Sequence, residues 1–284
     1  MLQSNWQGCR VKINLKEYHQ QWVDKSNSKN AYLEVFWIIQ SELNVAWSVL
    51  HHQKTYTQAQ LQPLDIKLAR YVEGEPLAYV IGKVDFLGKD IEIVPGVLIP
   101  RPATADLVVI LQDYITDGDK IIELGVGSGA VSCSLAKRFP ASEVVGVERE
   151  SVAYALAEKN VKAFGLSNLQ LLKQSWLDPL PVGFNVCFSN PPYIGVQDPY
   201  LDDSVRNYEP KSSWCSEDNG YKDPCEVIQV AKKILQPSGL FMLEHGFSQQ
   251  DQLAEYARNI GFSIIQMVQD EQGLPRGLLM QLES

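Results

Sequence analysis

An Asn-Pro-Pro-Tyr turn follows a mostly apolar segment late in the chain. The turn consists of Asn190, Pro191, Pro192 and Tyr193, and the apolar run 184–188 before it predicts a buried strand. Proline fixes its own torsion, lacks an N–H and holds the preceding residue extended, so Asn190 and Pro191 present their oxygens stiffly beside the Tyr193 ring. This arrangement suits group transfer to a planar –NH₂ nitrogen without a general base. A plain Pro-Pro loop that ends a strand is the alternative.

A glycine-rich loop is the second segment that could do chemistry. It follows a predicted strand at 120–124 and consists of Gly125, Val126, Gly127, Ser128 and Gly129. Glycines let backbone N–H groups approach a ligand, and the helix that follows presents its positive end. Glu148, at the end of the next predicted strand, can accept hydrogen bonds from both hydroxyls of a ribose. The pattern predicts a nucleotide-cofactor site, with a turn that binds nothing as the alternative.

Two cofactors fit this loop equally well. Gly125, Gly127 and Ala130 satisfy the G-x-G-x-x-A fingerprint of NAD-binding proteins, and S-adenosylmethionine fits the same spacing. Nicotinamide chemistry needs a proton donor beside the hydride acceptor, and these loops offer no obvious one. Because the Asn-Pro-Pro-Tyr turn suits methyl transfer to nitrogen, we expect S-adenosylmethionine, with S-adenosylhomocysteine as the product.

Composition narrows the classes of protein. The chain has 284 residues, of which 45% are hydrophobic and 21% charged, as in a globular enzyme of about two domains. A net charge of −9 disfavours a broad nucleic-acid surface. No apolar run reaches the ~18 residues of a membrane span, and no signal-peptide core is visible. The cysteines show neither C-x-x-C nor zinc spacing, which predicts free thiols, no metal and a cytoplasmic location; they are Cys9, Cys133, Cys187, Cys215 and Cys225.

The pattern of the elements changes along the chain. Apolar residues from 30 to 50 follow one helical face, and a second helix is predicted at 57–71. Short β-rich pieces at 79–81 and 91–94 predict a hairpin. We therefore expect a helical domain at 1–76, a β-hairpin linker at 77–102 and a catalytic domain at 103–284.

Strands and helices alternate through the catalytic domain. Strands are predicted at 120–124, 143–147, 169–172, 184–188, 240–243, 264–268 and 278–282, and helices at 130–139, 151–164, 226–235 and 249–260. This alternation predicts a doubly wound, Rossmann-like α/β sheet of seven strands. The last two strands are too close in sequence for a crossover helix, so they should be antiparallel.

Several segments, taken in order, resemble the HemK/PrmC family of protein-(glutamine-N5) methyltransferases, which modify peptide chain release factors. The resemblance covers almost the whole chain. The matching segments are Gly-Glu-Pro-Leu-Ala-Tyr at 74–79, Leu-Ile-Pro-Arg-Pro at 98–102, the glycine loop, Ser-Asn-Pro-Pro-Tyr-Ile at 189–194 and Tyr-Glu-Pro at 208–210.

The resemblance implies specific roles. S-adenosylmethionine would contact the glycine loop, Glu148 would hold its ribose, and Trp176 and Asn190 would lie near its adenosine. The glutamine amide of a GGQ-type release-factor loop would be bound by Asn190, Pro191, Pro192 and Tyr193, with Asn190, Pro191 and Tyr193 catalytic. The family further implies substrate recognition by the helical domain, a role in translation termination and a monomer.

Departures from the family pattern leave other functions open. Ala103, Ala105 and Ser175 replace acidic residues, and each lost acceptor would cost about 1.5 to 3 kcal/mol, or roughly tenfold in donor affinity, unless Asp106 compensates. A binding protein with weakened donor affinity is therefore one alternative. An adenine-N6 DNA or RNA methyltransferase is the other, because a flipped-out base presents the same –NH₂ group.

A long acidic segment at 194–224 is a candidate lid, from which Tyr208 and Trp214 could cover the acceptor. Arg101 is a candidate contact to the cofactor or the partner, or half of a structural ion pair.

Overall fold

The computed structural model describes residues 12–284. They divide into two compact units, with the boundary between Lys83 and Val84. The role of residues 1–76 in substrate recognition stays a prediction, and Cys9 lies outside the described residues. None of the helices in the described part of the chain combines the length and apolar character needed to cross a bilayer.

The first unit is mainly helical. Its elements are β1 (Lys12–Asn14), α1 (Leu15–Val23), α2 (Ala31–Leu43), a 3-10 helix (Trp47–His51), β2 (Thr55–Thr57), α3 (Gln58–Val72) and α4 (Leu77–Ile81). Strands β1 and β2 pair antiparallel. Helix α3 begins with a capping box in which Thr57 and Gln60 satisfy each other's backbone N–H groups. Its fully buried Leu61, Leu64 and Leu68 belong to one core with residues of α1 and α2.

Two predictions in this unit are wrong in detail. The helical face from 30 to 50 is interrupted, because Asn44 adopts a left-handed conformation with φ 48° that ends α2 at Leu43. Residues 79–81 are helical rather than extended. Pro76 stands as the N-cap of α4, and Tyr79 and Val80 are buried, so tertiary packing overrides the β preference of this short segment.

The second unit contains the remaining elements, apart from Lys83 at the start of β3, which falls in the first unit. They are β3 (Lys83–Phe86), β4 (Lys89–Glu92), α5 (Pro102–Gln112), β5 (Lys120–Leu124), α6 (Ala130–Arg138), β6 (Glu143–Val147), α7 (Ser151–Phe164), β7 (Leu169–Leu172), β8 (Phe184–Ser189), α8 (Asp203–Tyr208), a 3-10 helix (Lys211–Ser213), α9 (Glu217–Gly220), α10 (Lys222–Ile234), β9 (Leu235–Glu244), α11 (Gln250–Asn259), β10 (Phe262–Gln269) and β11 (Pro275–Leu282). The hairpin β3-β4 turns through Leu87 and Gly88, both at positive φ.

Seven strands form one sheet in the order β10-β11-β9-β8-β5-β6-β7. The central strands are parallel, and β11 is antiparallel to both of its neighbours, which confirms the prediction for the last pair. The chain winds outward from β5 through β6 and β7, and then returns to place β8 on the other side of β5. This reversal is the switch point at which doubly wound sheets bind ligands.

The register of β5 and β8 brings the two candidate loops together. Leu124, the last residue of β5, is directly opposite Ser189, the last residue of β8. Both strands are buried on both faces, as expected for central parallel strands. The glycine loop and the Asn-Pro-Pro-Tyr turn therefore leave the sheet side by side.

Candidate active site

The glycine loop makes a tight connection from β5 into α6. Gly125, Gly127 and Gly129 have φ of 83°, 57° and 87°, a region that side chains other than glycine rarely adopt. A Cβ on Gly125 would lie 3.4 Å from the Trp176 ring, and one on Gly129 would lie 3.4 Å from Ala157. Because both distances are ordinary van der Waals contacts, it is the backbone conformation of the turn that needs glycine.

Glu148 follows β6 and supports this loop. Its Oε2 accepts a hydrogen bond from the Gly127 N–H at 2.8 Å, and its Oε1 accepts one from the Glu150 N–H at 2.8 Å. Burial raises the pKa of Glu148, and these N–H groups counteract part of the rise. A carboxylate has about four acceptor positions, so those not used by the backbone suit a pair of ligand hydroxyls.

Glu123 holds the other side of the loop. Its fully buried carboxyl group accepts hydrogen bonds from the Ser132 N–H at 2.8 Å and from the Ser132 hydroxyl. Burial raises the pKa of Glu123 to about 8, although both bonds to Ser132 act in the opposite direction. The residue anchors the first turn of α6 to the end of β5.

A cavity that is open to solvent lies beside the loop. Of the predicted binding residues, those on its lining are Gly125, Gly127, Glu148, Trp176, Asn190 and Pro192. The side chains of Val126 and Ser128 are buried in the protein instead. The Ser128 carbonyl accepts a hydrogen bond from Asn160 Nδ2 at 2.9 Å, which ties the loop to α7.

Trp176 forms an aromatic wall of this cavity. Its ring is almost fully buried, and its Nε1 lies 3.5 Å from Glu226 Oε2 on α10. The Arg149 guanidinium lies 5.5 Å from the ring centroid, within range of a cation–π contact. A flat face held in this way suits a planar heterocycle.

The Asn-Pro-Pro-Tyr turn is fixed to its neighbours by side chains. Just before it, the Ser189 hydroxyl donates to the Leu124 carbonyl at 2.8 Å. Asn190 Nδ2 donates to Thr104 Oγ1 of α5 at 3.2 Å, which turns the carboxamide so that its oxygen occupies the other edge. The Tyr193 hydroxyl donates to Glu244 at the end of β9, at 3.2 Å. Burial raises the pKa of Tyr193, so the ring is neutral.

A second cavity, also open to solvent, adjoins the first. Among its lining residues are Asn190, Pro191, Tyr193 and Trp214. Asn190 lines both cavities, so it lies where their contents would meet. Because the predicted catalytic residues share this second cavity, a group held here would face whatever occupies the first.

Three further residues support the turn, and no sequence motif singles them out. Gln249 Nε2 donates to the carbonyls of Tyr193 and Gly220 at 3.0 Å each. Glu244 and Thr104 form the bonds behind the turn. Glu244 directly follows a predicted strand, so the rule that ligand sites collect at carboxyl ends of strands could have found it. Thr104 and Gln249 carry no comparable signal.

Arg101 forms an ion pair with Glu209 and also lines the second cavity. Glu209 is buried, and its Oε2 accepts the Ile99 N–H at 3.2 Å. Burial raises the pKa of Glu209, and the charge of Arg101 opposes the rise. The pair therefore joins the Ile-Pro-Arg-Pro segment to the segment after the turn.

The candidate lid at 194–224 is folded against the turn. Ile194 exchanges backbone hydrogen bonds with this segment: its N–H donates to the Trp214 carbonyl and its carbonyl accepts the Ser216 N–H, both at 2.9 Å. Trp214 is only 7% exposed. The segment thus forms a fixed wall of the second cavity.

The residues that depart from the family pattern lie apart from the first cavity or within its supporting turns. Ala103 lines a separate surface pocket together with Asp106. Ala105 packs against the hydrophobic core. The Ser175 N–H donates to Asp178 at 2.8 Å in the turn that carries Trp176. The structure thus gives Ala103 and Ala105 no direct place beside a donor.

Comparisons with known proteins identify the family. Residues 115–274 match a family model described as a methyltransferase domain. The release factor glutamine methyltransferase of Aliivibrio fischeri is 33% identical over 81% of this chain and 82% of its own length. That of Salmonella typhimurium is 35% identical over 78% of this chain and 80% of its own. The chain belongs to the release factor glutamine methyltransferases.

Membership in the release factor glutamine methyltransferases confirms the resemblance stated from the motifs. It also decides between the two cofactor classes left open by the glycine loop, since the family is one of methyltransferases. A solved methyltransferase of Pyrococcus furiosus has a TM-score of 0.55 and 20% identity, covering 78% of this chain and 99% of its own. That similarity concerns the fold alone, and it agrees with the predicted Rossmann-like sheet.

Proposed function

We propose that this chain transfers a methyl group from S-adenosylmethionine to the side-chain amide nitrogen of a glutamine, in the GGQ-type loop of a peptide chain release factor. One observation carries the proposal. In a member of this family, Asn190 lies at the junction of the cavity beside the glycine loop and a cavity lined by Pro191 and Tyr193.

The first cavity is proposed to hold S-adenosylmethionine. Gly125 and Gly127 would bring the backbone close to the ligand, Glu148 would accept from the ribose hydroxyls, and Trp176 would pack against the adenine. The remaining acceptor capacity of Glu148 supports this assignment. When bound, S-adenosylmethionine supplies an electrophilic methyl group on its sulfonium.

The turn would orient the acceptor nitrogen. Asn190 Oδ1 and the Pro191 carbonyl would accept the two N–H hydrogens of the glutamine amide, which directs its lone pair towards the first cavity. These oxygens also stabilise the positive charge that develops on nitrogen, and the Tyr193 face adds a cation–π contribution. Holding reacting atoms about 3 to 3.5 Å apart supplies several kcal/mol of the barrier without a general base.

The partner is proposed to be the release factor protein, bound with help from the helical unit at 1–76. The relatives favour a protein substrate over a nucleic acid, and the net charge of −9 points the same way. We further propose that the reaction occurs in the cytoplasm and that the chain acts as a monomer.

The test uses purified protein, a labelled methyl donor and a panel of release factors. We expect label on a factor that retains its glycine-flanked glutamine and none on a matched variant in which that glutamine is alanine. Label that persists without the glutamine, or that appears on duplex DNA instead, would contradict the proposal.

A further inference from the structure

We propose that Thr104 and Glu244 are positioning residues that decide which edge of the Asn190 carboxamide faces the acceptor. The inference rests on the proposed function, because it explains how the turn distinguishes glutamine from glutamate. Neither residue lines the first cavity or would contact the donor there.

The contacts form a continuous chain. Asn190 Nδ2 donates to Thr104 Oγ1 at 3.2 Å, and the Thr104 hydroxyl donates to Glu244 Oε2 at 2.7 Å. Thr104 is 4% exposed and Glu244 is 1% exposed, so little water reaches these bonds. Buried polar groups in such chains hold one another in a single arrangement.

The carboxylate gives this chain its direction. The Thr104 hydroxyl has a single hydrogen, and it donates that hydrogen to Glu244 Oε2. Towards Asn190, Thr104 can then only accept. The –NH₂ edge of Asn190 must point to Thr104, which leaves Oδ1 on the opposite edge.

The other oxygen of the same carboxylate fixes Tyr193. Glu244 Oε1 accepts the Tyr193 hydroxyl at 3.2 Å. One buried carboxylate thus orients both polar side chains of the turn. Burial raises the pKa of Glu244, and the hydrogen bonds from Thr104 and Tyr193 and the charges of Arg276 and Arg101 oppose that rise.

Selectivity follows from this fixed direction. The two acceptor oxygens, Asn190 Oδ1 and the Pro191 carbonyl, bind the –NH₂ group of glutamine. They repel the carboxylate of glutamate, which has no N–H to donate. Sites built for a hydrogen-bonding group reject the analogue that lacks it far more strongly than apolar pockets reject a methylene. If the Asn190 amide could rotate, it would present its own –NH₂ and the discrimination would fall.

The test compares Thr104→Val, which keeps the shape and removes the hydroxyl, with Thr104→Ser, which keeps the hydroxyl. The substrate is a release factor with the glycine-flanked glutamine, and the inhibitor is the same factor with glutamate there. We expect Thr104→Val to lower kcat by about tenfold or more and to lower the preference for glutamine over glutamate by a similar factor. Calorimetry should show donor affinity close to that of the parent.

Thr104→Ser should restore most of the turnover and the preference. Equal losses in the two variants, or a preference unchanged in Thr104→Val, would overturn the proposal. If thermal melting shows that Thr104→Val is unfolded, Glu244→Leu replaces it in the test. Without Glu244, the Thr104 hydroxyl is free to donate to Asn190, so the proposal requires the same loss of preference for glutamine over glutamate. A parent that does not methylate glutamine refutes the proposed function, whereas an active parent with insensitive variants refutes only this inference.

Discussion

The glycine loop and the Asn-Pro-Pro-Tyr turn leave adjacent strands at the same edge of the sheet, yet they are held in different ways. The loop is shaped by its own glycines and by Glu148, which grips the Gly127 N–H. The turn depends on side chains from distant segments, since Thr104 lies 86 residues before Asn190 and Glu244 lies 51 residues after Tyr193. A backbone site is encoded locally, whereas an oriented carboxamide needs tertiary partners.

The sharpest test of this difference is Asn190→Ala. We expect turnover to fall by about 10²- to 10³-fold, the size of effect seen when one preorganised hydrogen-bonding group is removed from a reacting centre. Donor binding should be largely retained, because the glycine loop and Glu148 stay intact. Labelled methyl transfer and calorimetry measure the two quantities. Asn185→Ala is the matched control, since Asn185 accepts the Lys120 N–H at the opposite end of β8, away from both cavities.

Turnover of Asn190→Ala within a few-fold of the parent would show that Asn190 does not take part in methyl transfer. Equal losses in turnover and in donor affinity would instead mean that donor binding and catalysis are not assigned separately to the loop and the turn.

Glu148→Gln should produce the opposite pattern. Loss of a charged acceptor at a buried site weakens donor binding by about tenfold or more, while turnover at saturating donor changes much less. Calorimetry and the KM for the donor report the effect. Glu143→Gln, at the exposed start of the same strand, is the control. Unaltered donor affinity in Glu148→Gln would show that the first cavity does not hold a ribose there.

Glu123→Gln should alter how stability depends on pH. Burial raises the pKa of Glu123 from its ordinary 4.5 to about 8, so the folded protein retains a proton that the unfolded chain releases. The contribution is therefore present at low pH and is lost as pH rises from about 4.5 to about 8. Denaturant unfolding at pH 5 and pH 8 should show a smaller loss of stability in the variant than in the parent. Parallel pH profiles for the two proteins would contradict the assignment.

The smallest effect is expected for Ala103→Asp, which restores the acidic residue usual in the family. Ala103 lines a surface pocket outside the first cavity, so donor affinity should change by less than about twofold. Calorimetry measures it. A large gain in affinity would show that the donor extends towards α5. It would also show that alanine at position 103 weakens donor binding, as the sequence predicts.

Much of the sheet could be predicted from sequence because its buried strands are short apolar runs punctuated by glycine and proline. Strands β5, β6 and β7 have the predicted bounds, and the antiparallel final pair follows from the short connection between them. The helical domain was harder to predict. The end of α2 depends on a left-handed Asn44, and α4 is fixed by packing, so periodicity reports neither.

The same contrast holds within the site. Periodicity and motif place the glycine loop, Glu148 and Asn190 at one edge of the sheet. Helix α5 was not predicted at all, so the position of Thr104 behind Asn190 had no sequence signal. Gln249 was equally invisible, since its bonds to Tyr193 and Gly220 close a contact between segments far apart in the chain.

The pairing of Leu124 with Ser189 has a consequence for redesign. Neighbouring strands are about 4.8 Å apart, and hydrogen bonds between β5 and β8 fix that distance. The spacing of the two loops is therefore set by the sheet and stays the same when residues of the surrounding helices are substituted. To change the amine that accepts the methyl group, a protein engineer could therefore leave β5 and β8 unchanged. Only Thr104 on α5 and Glu244 at the end of β9, which orient Asn190 and Tyr193, would need substitution.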